Sequence, residues 1–149
     1  MADHVQQQIL EGVVAALSGA STSAGDRVFL DRLDVLQPGQ LPAILVEEAP
    51  GGEAVAPQTV SGLQERDFQV IVRYVVTHAS EYAKRARDGG AEVERVLGGR
   101  SFAVPKPGRA SLLASRLSPA GEGDRAMAMR EQIWSFRYYT QRGVPDVAR

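Results

Sequence analysis

Four carboxylate side chains come nearest, among the residues of this sequence, to a metal-binding arrangement. Asp31 and Asp34 follow a short apolar segment, and Glu47 and Glu48 end another. If the two segments pair as neighbouring strands, the four carboxylates approach one another and could bind Mg²⁺ or Ca²⁺, because both ions prefer oxygen ligands. Solvated strand ends are the commoner reason for such residues, and we therefore expect no metal site and no cofactor.

Few residues of this sequence are candidates for nucleophilic or acid–base catalysis. The sequence has no cysteine, which excludes a thiol nucleophile, a thiolate metal site and a disulfide. His4 lies in the first turn of a predicted helix and His78 at the end of a predicted strand, where a hydrogen-bonded surface histidine is the ordinary case. The glycine-rich phosphate-binding patterns, G-x-S-x-G and H-E-x-x-H do not occur. We expect no catalytic residues and no enzyme.

Charge is distributed unevenly along the chain. Residues 1–60 hold two basic against eight acidic residues, a net charge of −6, whereas residues 61–149 hold 15 basic against ten acidic, a net charge of +5. Segment 84–109 alone carries +4, but its charges mostly pair at helical spacing, which favours a solvated helix face over a sequence-specific nucleic-acid site. No segment approaches the roughly 18 to 20 apolar residues of a membrane span, and the polar start favours synthesis in the cytoplasm without a membrane partner.

Hydrophobic periodicity predicts two helices. The first covers residues 4–18, where apolar residues recur at a spacing of three and four. The second covers residues 79–97, and the pair Gly89-Gly90 inside it marks either a break or a close approach of another backbone, since two glycines cost roughly 2 kcal/mol of helix propensity.

Five strands are predicted, two of them long. Short apolar runs indicate strands at 28–30, 41–48 and 111–117, and clear alternation indicates strands at 64–77 and 125–140. Residues 49–63, with three glycines and two prolines, are predicted to form a long flexible loop, and residues 141–149 an irregular tail.

The resulting order, α-β-β-β-α-β-β, predicts one α+β domain over residues 1–149, with an antiparallel or mixed sheet and two helices packed on one face. A 14-residue strand spans about 45 Å, longer than the diameter of about 40 Å expected for a domain of this size. The long strands must therefore bulge, bend or protrude. We expect a protruding hairpin made by strands 41–48 and 64–77, whose edge could receive another chain.

Contact with other subunits or partners is predicted for polar and aromatic residues on these strands and beside them. Tyr139, for example, faces away from the apolar stripe of Trp134, Phe136 and Tyr138. An acidic first third and a basic remainder could supply two complementary patches for a heterologous interface. The candidates are Glu47, Glu48, Glu53, Gln64, Arg66, Arg73, Arg130, Arg137, Tyr139 and Arg142.

Over nearly its whole length the chain resembles the tail terminator, or minor tail completion, proteins of long-tailed bacteriophages. The resemblance lies in the helix ILEGVVAAL, the strand LPAILVEE, the Gly/Pro-rich loop, the strand RDFQVIVRYVV, a helix and the late strand REQIWSFRYYT. It implies a homohexameric ring without catalytic residues. That ring would cap the head-proximal end of the tail tube, stop tube polymerisation and bind the head connector or a neck protein.

The resemblance also implies a virion protein, of a free phage or a prophage, assembled in the cytoplasm of a bacterial host. The glycine pair at 89–90 departs from the family pattern and puts the length of the second helix in question. Two alternatives stay open: a different neck or head-completion protein of the virion, and a small-molecule-binding regulatory domain, since α+β sheets of this size hold such pockets.

Overall fold

Helix α1 (Val5–Gly19) opens the chain in the computed structural model, which describes residues 3–57, 62–77, 79–100, 109–120 and 127–149. The imidazole Nδ1 of His4 accepts a hydrogen bond of 3.0 Å from the backbone N–H of Gln6, so this histidine caps the helix. The apolar face of α1 is buried as its periodicity predicts, at Val5, Ile9, Leu10, Val13 and Leu17.

The described part of the chain forms one six-stranded mixed sheet. Its strands are β1 (Val28–Leu30), β2 (Ala43–Pro57), β3 (Leu63–Thr77), β4 (Ala110–Ala120), β5 (Met127–Gln141) and β6 (Val144–Ala148). The order across the sheet is β1-β2-β3-β5-β4, and β6 pairs with β5. Short β1 runs parallel to β2, and every other pairing is antiparallel. Strand β5 therefore lies inside the sheet although it comes late in the sequence.

The prediction of a long loop over residues 49–63 is wrong for residues 49–57, which belong to a strand. Strand β2 continues to Pro57, and the segment around Pro50, Gly51 and Gly52 is an irregularity where the register with β3 shifts between Glu48 and Glu53. Gly52 has a φ of 61°, a value at which glycine carries no steric penalty. The residues that look like a turn in the sequence thus form a bulge, after which pairing with β3 resumes. Residues 58–61 lie outside the described residues.

The irregular tail predicted over residues 141–149 is also wrong. Strand β5 ends at Gln141, and after a turn at Arg142 and Gly143 the chain returns as β6. Residue pairs Thr140 with Ala148 and Gln141 with Val144 hold this short hairpin together. Because this strand has only five residues and contains Pro145, its sequence shows no clear alternation.

Helix α2 (Tyr82–Leu97) begins three residues later than predicted and passes through Gly89 and Gly90 without a break. A Cβ at Gly89 would lie 2.2 Å from the ring of Tyr74, and one at Gly90 would lie 2.9 Å from Cγ of Arg130. The glycine pair therefore lets α2 lie directly on β3 and β5, and side chains rather than another backbone fill the space.

The main core lies between the sheet and the two helices. Alternate residues of β3 and β5 point into it, as their pattern predicts, including Phe68, Val72, Trp134 and Phe136. The α+β class with two helices and a mixed, curled sheet is confirmed, with one strand more than predicted. The long strands fit because the sheet curls and neighbouring strands bulge, at β2 and between Leu112 and Ala114 of β4.

Candidate functional site: the sheet face away from the helices, and its edges

A row of ion pairs crosses the sheet on the face turned away from the helices. Arg73 of β3 contacts Glu47 of β2 through its guanidinium and lies 3.6 Å, Nε to Oε1, from Glu131 of β5. Arg116 of β4 binds the same Glu131 at 2.8 Å. Four strands are thereby joined by alternating charges, and the two predicted contact residues Glu47 and Arg73 lie together in this row.

A second polar group lies farther along the same face. The Nε of Arg137 is 3.0 Å from Oε1 of Glu65, and the guanidinium also approaches Asp67. Asp67 in turn accepts a hydrogen bond from the hydroxyl of Ser135. Tyr139 follows on β5 with its side chain 37% exposed. Arg137 and Tyr139 are thus the predicted residues that remain most accessible on this face.

Three other predicted residues belong to a buried network within the subunit. The guanidinium of Arg66 binds Glu53 at 2.7 Å and Thr140 at 2.8 Å, and a longer contact of 3.4 Å reaches Gln64. The other carboxylate oxygen of Glu53 accepts a hydrogen bond of 2.5 Å from the hydroxyl of Tyr138. The side chains of Glu53 and Arg66 are only 5% and 14% exposed. Their charges are therefore satisfied inside the fold and hold β2, β3 and β5 together.

Burial, and after it the hydrogen bond to Glu53, raises the pKa of Tyr138 well above its ordinary value. The neutral hydroxyl is the form that donates to the carboxylate. Tyr138 therefore acts as a structural hydrogen-bond donor in this network.

The remaining three predicted contact residues lie apart from one another. Arg130 donates from Nε to the hydroxyl of Ser115 at 2.8 Å beneath α2. Glu48 is exposed beside the first turn of α1, and Arg142 is exposed in the turn before β6, where its N–H binds the carbonyl of Gly62.

The carboxylate cluster considered from the sequence does not form. Strands β1 and β2 do pair, but Glu47 points to the outer face and binds Arg73, whereas Glu48 and Asp31 line a shallow cleft beside His4. Within the described ranges no three His, Asp or Glu residues are placed to share a metal ion. His78 lies outside the described residues.

Exposed apolar side chains on the sheet edges are the feature that sequence reasoning missed. Leu112 and Leu113 of β4 are 38% and 54% exposed, and Val55 of β2 is 45% exposed. Leu33, in the segment after β1, is 98% exposed. The adjacent leucines carried a signal, because two consecutive residues of one strand cannot both face the same core.

One cleft of about 520 Å³ lies between α2, β3 and the segments before β1 and β2. At its wall the hydroxyl of Ser23 contacts the hydroxyl of Tyr74 at 2.5 Å and donates to Glu92 at 3.0 Å. Burial raises the pKa of Tyr74 above its ordinary value. Arg85 and Leu41 also line the cleft, which therefore combines apolar surface with a few polar groups.

Comparison with solved structures finds a similar fold in a virion. A chain of the "virion of native gene transfer agent (GTA) particle" superposes with a TM-score of 0.60 at 18% sequence identity, and the match covers 91% of this chain and 98% of that chain. No protein-family model and no curated protein sequence matches. Among the described residues, no helix is both long enough and apolar enough to cross a bilayer.

Proposed function

We propose that this protein is a non-catalytic structural component of a virion. It forms a ring of its own copies on the head-proximal end of the tail tube, ends tube polymerisation, and offers a surface to the head connector or a neck protein. In this role it is assembled in the cytoplasm of the bacterial host and stays in the virion.

The observation that carries the proposal is the likeness of fold to a chain of a gene transfer agent virion, because that likeness spans nearly all of both chains. The family resemblance of the sequence points in the same direction. At 18% identity the likeness concerns the fold, and the specific role at the tail end comes from the resemblance to tail terminators.

Surface chemistry supports a protein that works through contacts. Most charged side chains on the outer sheet face are paired within the subunit, whereas Tyr139, Leu112 and Leu113 stay exposed. Exposed apolar and aromatic side chains on a rigid sheet are typical of surfaces that bind other proteins.

Polymerisation of the cognate tail tube protein, with and without this protein, tests the proposal. We expect shorter tubes in its presence, each with additional ring-shaped density at one end, by negative-stain electron microscopy. The variant Leu33→Ser is a control for substitution of an exposed leucine, because this residue lies outside the sheet, and it should shorten the tubes as the wild type does. Unchanged tube lengths and bare tube ends would contradict the tail-terminator role.

The same experiment, with filled heads added, distinguishes the tail-terminator role from that of a neck or head-completion protein. A head-completion or neck protein would leave tube length unchanged and would instead sediment with filled heads. Binding to heads without capping of tubes would therefore favour that alternative and keep the virion role.

The cleft beside Ser23 favours a second candidate function, binding of a small molecule in a regulatory domain. Its volume of about 520 Å³ is in the range of ligand sites. A metabolite screen by thermal shift tests this candidate. Small-molecule binding is supported if a ligand raises the melting temperature of the wild type and raises that of a Ser23→Ala variant less. No such ligand would contradict it.

A further inference from the structure

The two outer long strands of the sheet leave backbone groups without a neighbouring strand. In the described part of the chain, β4 pairs with β5 on one side and with no strand on the other. Strand β2 pairs with β1 only at residues 44–46, so none of the described strands lies beside its outer side from Glu47 to Pro57. At the start of β4 the N–H and C=O of Ala110 are already bonded to Arg100 and Gly99, so the part of this edge that can accept another strand begins after Ala110. Both edges can therefore accept another strand.

The bulges of β2 and β4 and the prolines Pro50, Pro57 and Pro119 limit pairing along parts of the two edges, but apolar side chains remain exposed beside them. Natural proteins place lysines, inward charges or prolines along exposed edges to prevent pairing with other chains. Here Leu112 and Leu113 are exposed on β4, and Ala54, Val55 and Ala56 are exposed on β2. Exposed apolar side chains beside unpaired backbone groups indicate that the edges are covered in the functional state.

The direction of the strands makes the two edges complementary. Because β2, β3, β5 and β4 are antiparallel in succession, β2 and β4 run in opposite directions. A second copy, rotated about an axis to which the strands are inclined, brings its β2 beside β4 of the first copy in antiparallel orientation. The pattern of the sheet then continues from one copy into the next, and each contact joins two different patches, as a closed ring requires.

Charge favours the same partner. Strand β2 contains three glutamates and no basic residue, whereas β4 contains Arg116 and no acid and is flanked by Arg100 and Arg109. One edge strand of the described sheet is thus acidic and the other basic, although Glu47, Glu53 and Arg116 are each paired within the subunit. Pairing β2 with β4 avoids the contact of two acidic strands that pairing β2 with β2 would create.

The free parts of β2 and β4 lie at different positions along the strand direction. Ala110 of β4 is level with Phe136 of β5, which is level with Phe68 of β3 and Glu53 of β2. The exposed end of β2 beyond Glu53 therefore extends past the first residue of β4. Neighbouring copies must be shifted along the strands, which happens when strands tilt relative to the axis of a closed sheet.

We propose that the outer edge of β4 in one copy pairs antiparallel with the outer edge of β2, beyond its bulge, in the next copy. The inference rests on the proposed function in that it supplies the subunit contact of the ring.

Cysteine cross-linking tests the pairing directly, because the natural chain has no cysteine. The double variant Val55→Cys, Leu113→Cys, treated with a short bis-maleimide, should give a ladder of species beyond the dimer on a denaturing gel. A mixture of the two single variants should stop at the dimer. Strong dimer formation by either single variant alone would overturn the proposal, since it would indicate a twofold contact of like edges.

Charged edge variants give a second measurement. Leu113→Lys or Val55→Lys should weaken self-association at least about ten-fold by light scattering, a cost of about 1.4 kcal/mol. Leu33→Lys, on a leucine outside both edges that is 98% exposed, should leave self-association unchanged. Circular dichroism melting checks that each variant is folded. Unchanged association of both edge variants would overturn the pairing.

The two proposals fail in different ways. If the wild type forms rings but the double-cysteine variant gives no ladder, the ring function stands and the edge pairing is wrong. If the wild type stays monomeric at every concentration and no cap appears on tail tubes, both are wrong.

Discussion

The ring of Tyr74 on β3 occupies the space in which any side chain at Gly89 of α2 would lie. A Cβ at Gly89 would be 2.2 Å from the ring carbons Cδ1 and Cε1, far inside van der Waals contact. Helix and sheet can approach this closely only because Gly89 has no side chain. The contact also buries Tyr74, whose hydroxyl reaches Ser23.

Gly89→Ala should therefore destabilise the protein, although alanine favours a helix by about 1 kcal/mol. We expect a net loss of about 1–3 kcal/mol in the free energy of unfolding, measured by urea titration, because the helix must move off the ring. Gly19→Ala is the matched control, since no atom lies within 4 Å of its Cβ position. An equal effect of the two substitutions would contradict the close contact.

Removing Arg66 should be costly because it leaves Glu53 buried without its cation. Arg66→Met is expected to lower the free energy of unfolding by about 3–5 kcal/mol. The control is Arg137→Met, whose side chain is 62% exposed in its pair with Glu65, and its cost should stay below about 1 kcal/mol. Adding Glu53→Gln to Arg66→Met should recover part of the loss. Similar costs for the two arginines would mean that the Arg66 network is open to solvent.

Tyr138→Phe should cost about 1.5–3 kcal/mol near neutral pH, because the variant loses a hydrogen bond to a carboxylate. The pKa of Tyr138 is raised in the fold, so above about pH 10 the unfolded chain releases a proton that the folded chain keeps, and the wild type loses stability as pH rises. The stability difference between wild type and variant should therefore shrink between about pH 8 and about pH 11. Chemical unfolding at both pH values measures it. Tyr139→Phe, on the exposed neighbouring residue, should have little effect at neutral pH.

Gln132 links the core of the sheet to α2. Its Nε2 donates to the carbonyl of Gly90 at 2.9 Å, and its Oε1 accepts from the indole of Trp134 at 3.1 Å. Gln132→Leu leaves the buried indole N–H of Trp134 without this acceptor and removes the side-chain bond to the Gly90 carbonyl, and we expect a loss of about 2 kcal/mol in the free energy of unfolding. Because the protein has one tryptophan, its fluorescence follows the unfolding and should itself shift. Gln7→Leu, which removes an exposed helix contact with Glu11, is the control and should cost little.

Strands β3 and β5 could be predicted to within two residues because each buries one face completely and so alternates along its length. The bulge of β2 could not, since Pro50, Gly51 and Gly52 are as typical of a turn as of an irregular strand. Of the two meanings predicted for Gly89-Gly90, a break or a close approach of another backbone, neither is found as stated: the helix is continuous, and side chains, among them the ring of Tyr74, fill the space.

The candidate contact residues were predicted as a set, but their pairing was not. Glu53 and Arg66 meet because the bulge shifts the register in which β2 pairs with β3. A register predicted without the bulge would place the two residues apart. The contribution of the sequence was the separation of charge, which leaves the edge strand β2 acidic and the edge strand β4 basic.

The interior position of β5 ties folding to the completion of synthesis. This strand pairs with β3 along 15 residues and with β4 on its other side, so β4 lacks its strand partner and β3 lacks one of its two until residue 141 has left the ribosome. Contacts between residues so distant in sequence form slowly, and strand edges stay open to wrong pairing meanwhile. A nascent or truncated chain therefore cannot present the finished sheet edges. Under the proposed edge pairing, only complete subunits then join the ring, so incomplete chains are excluded from it.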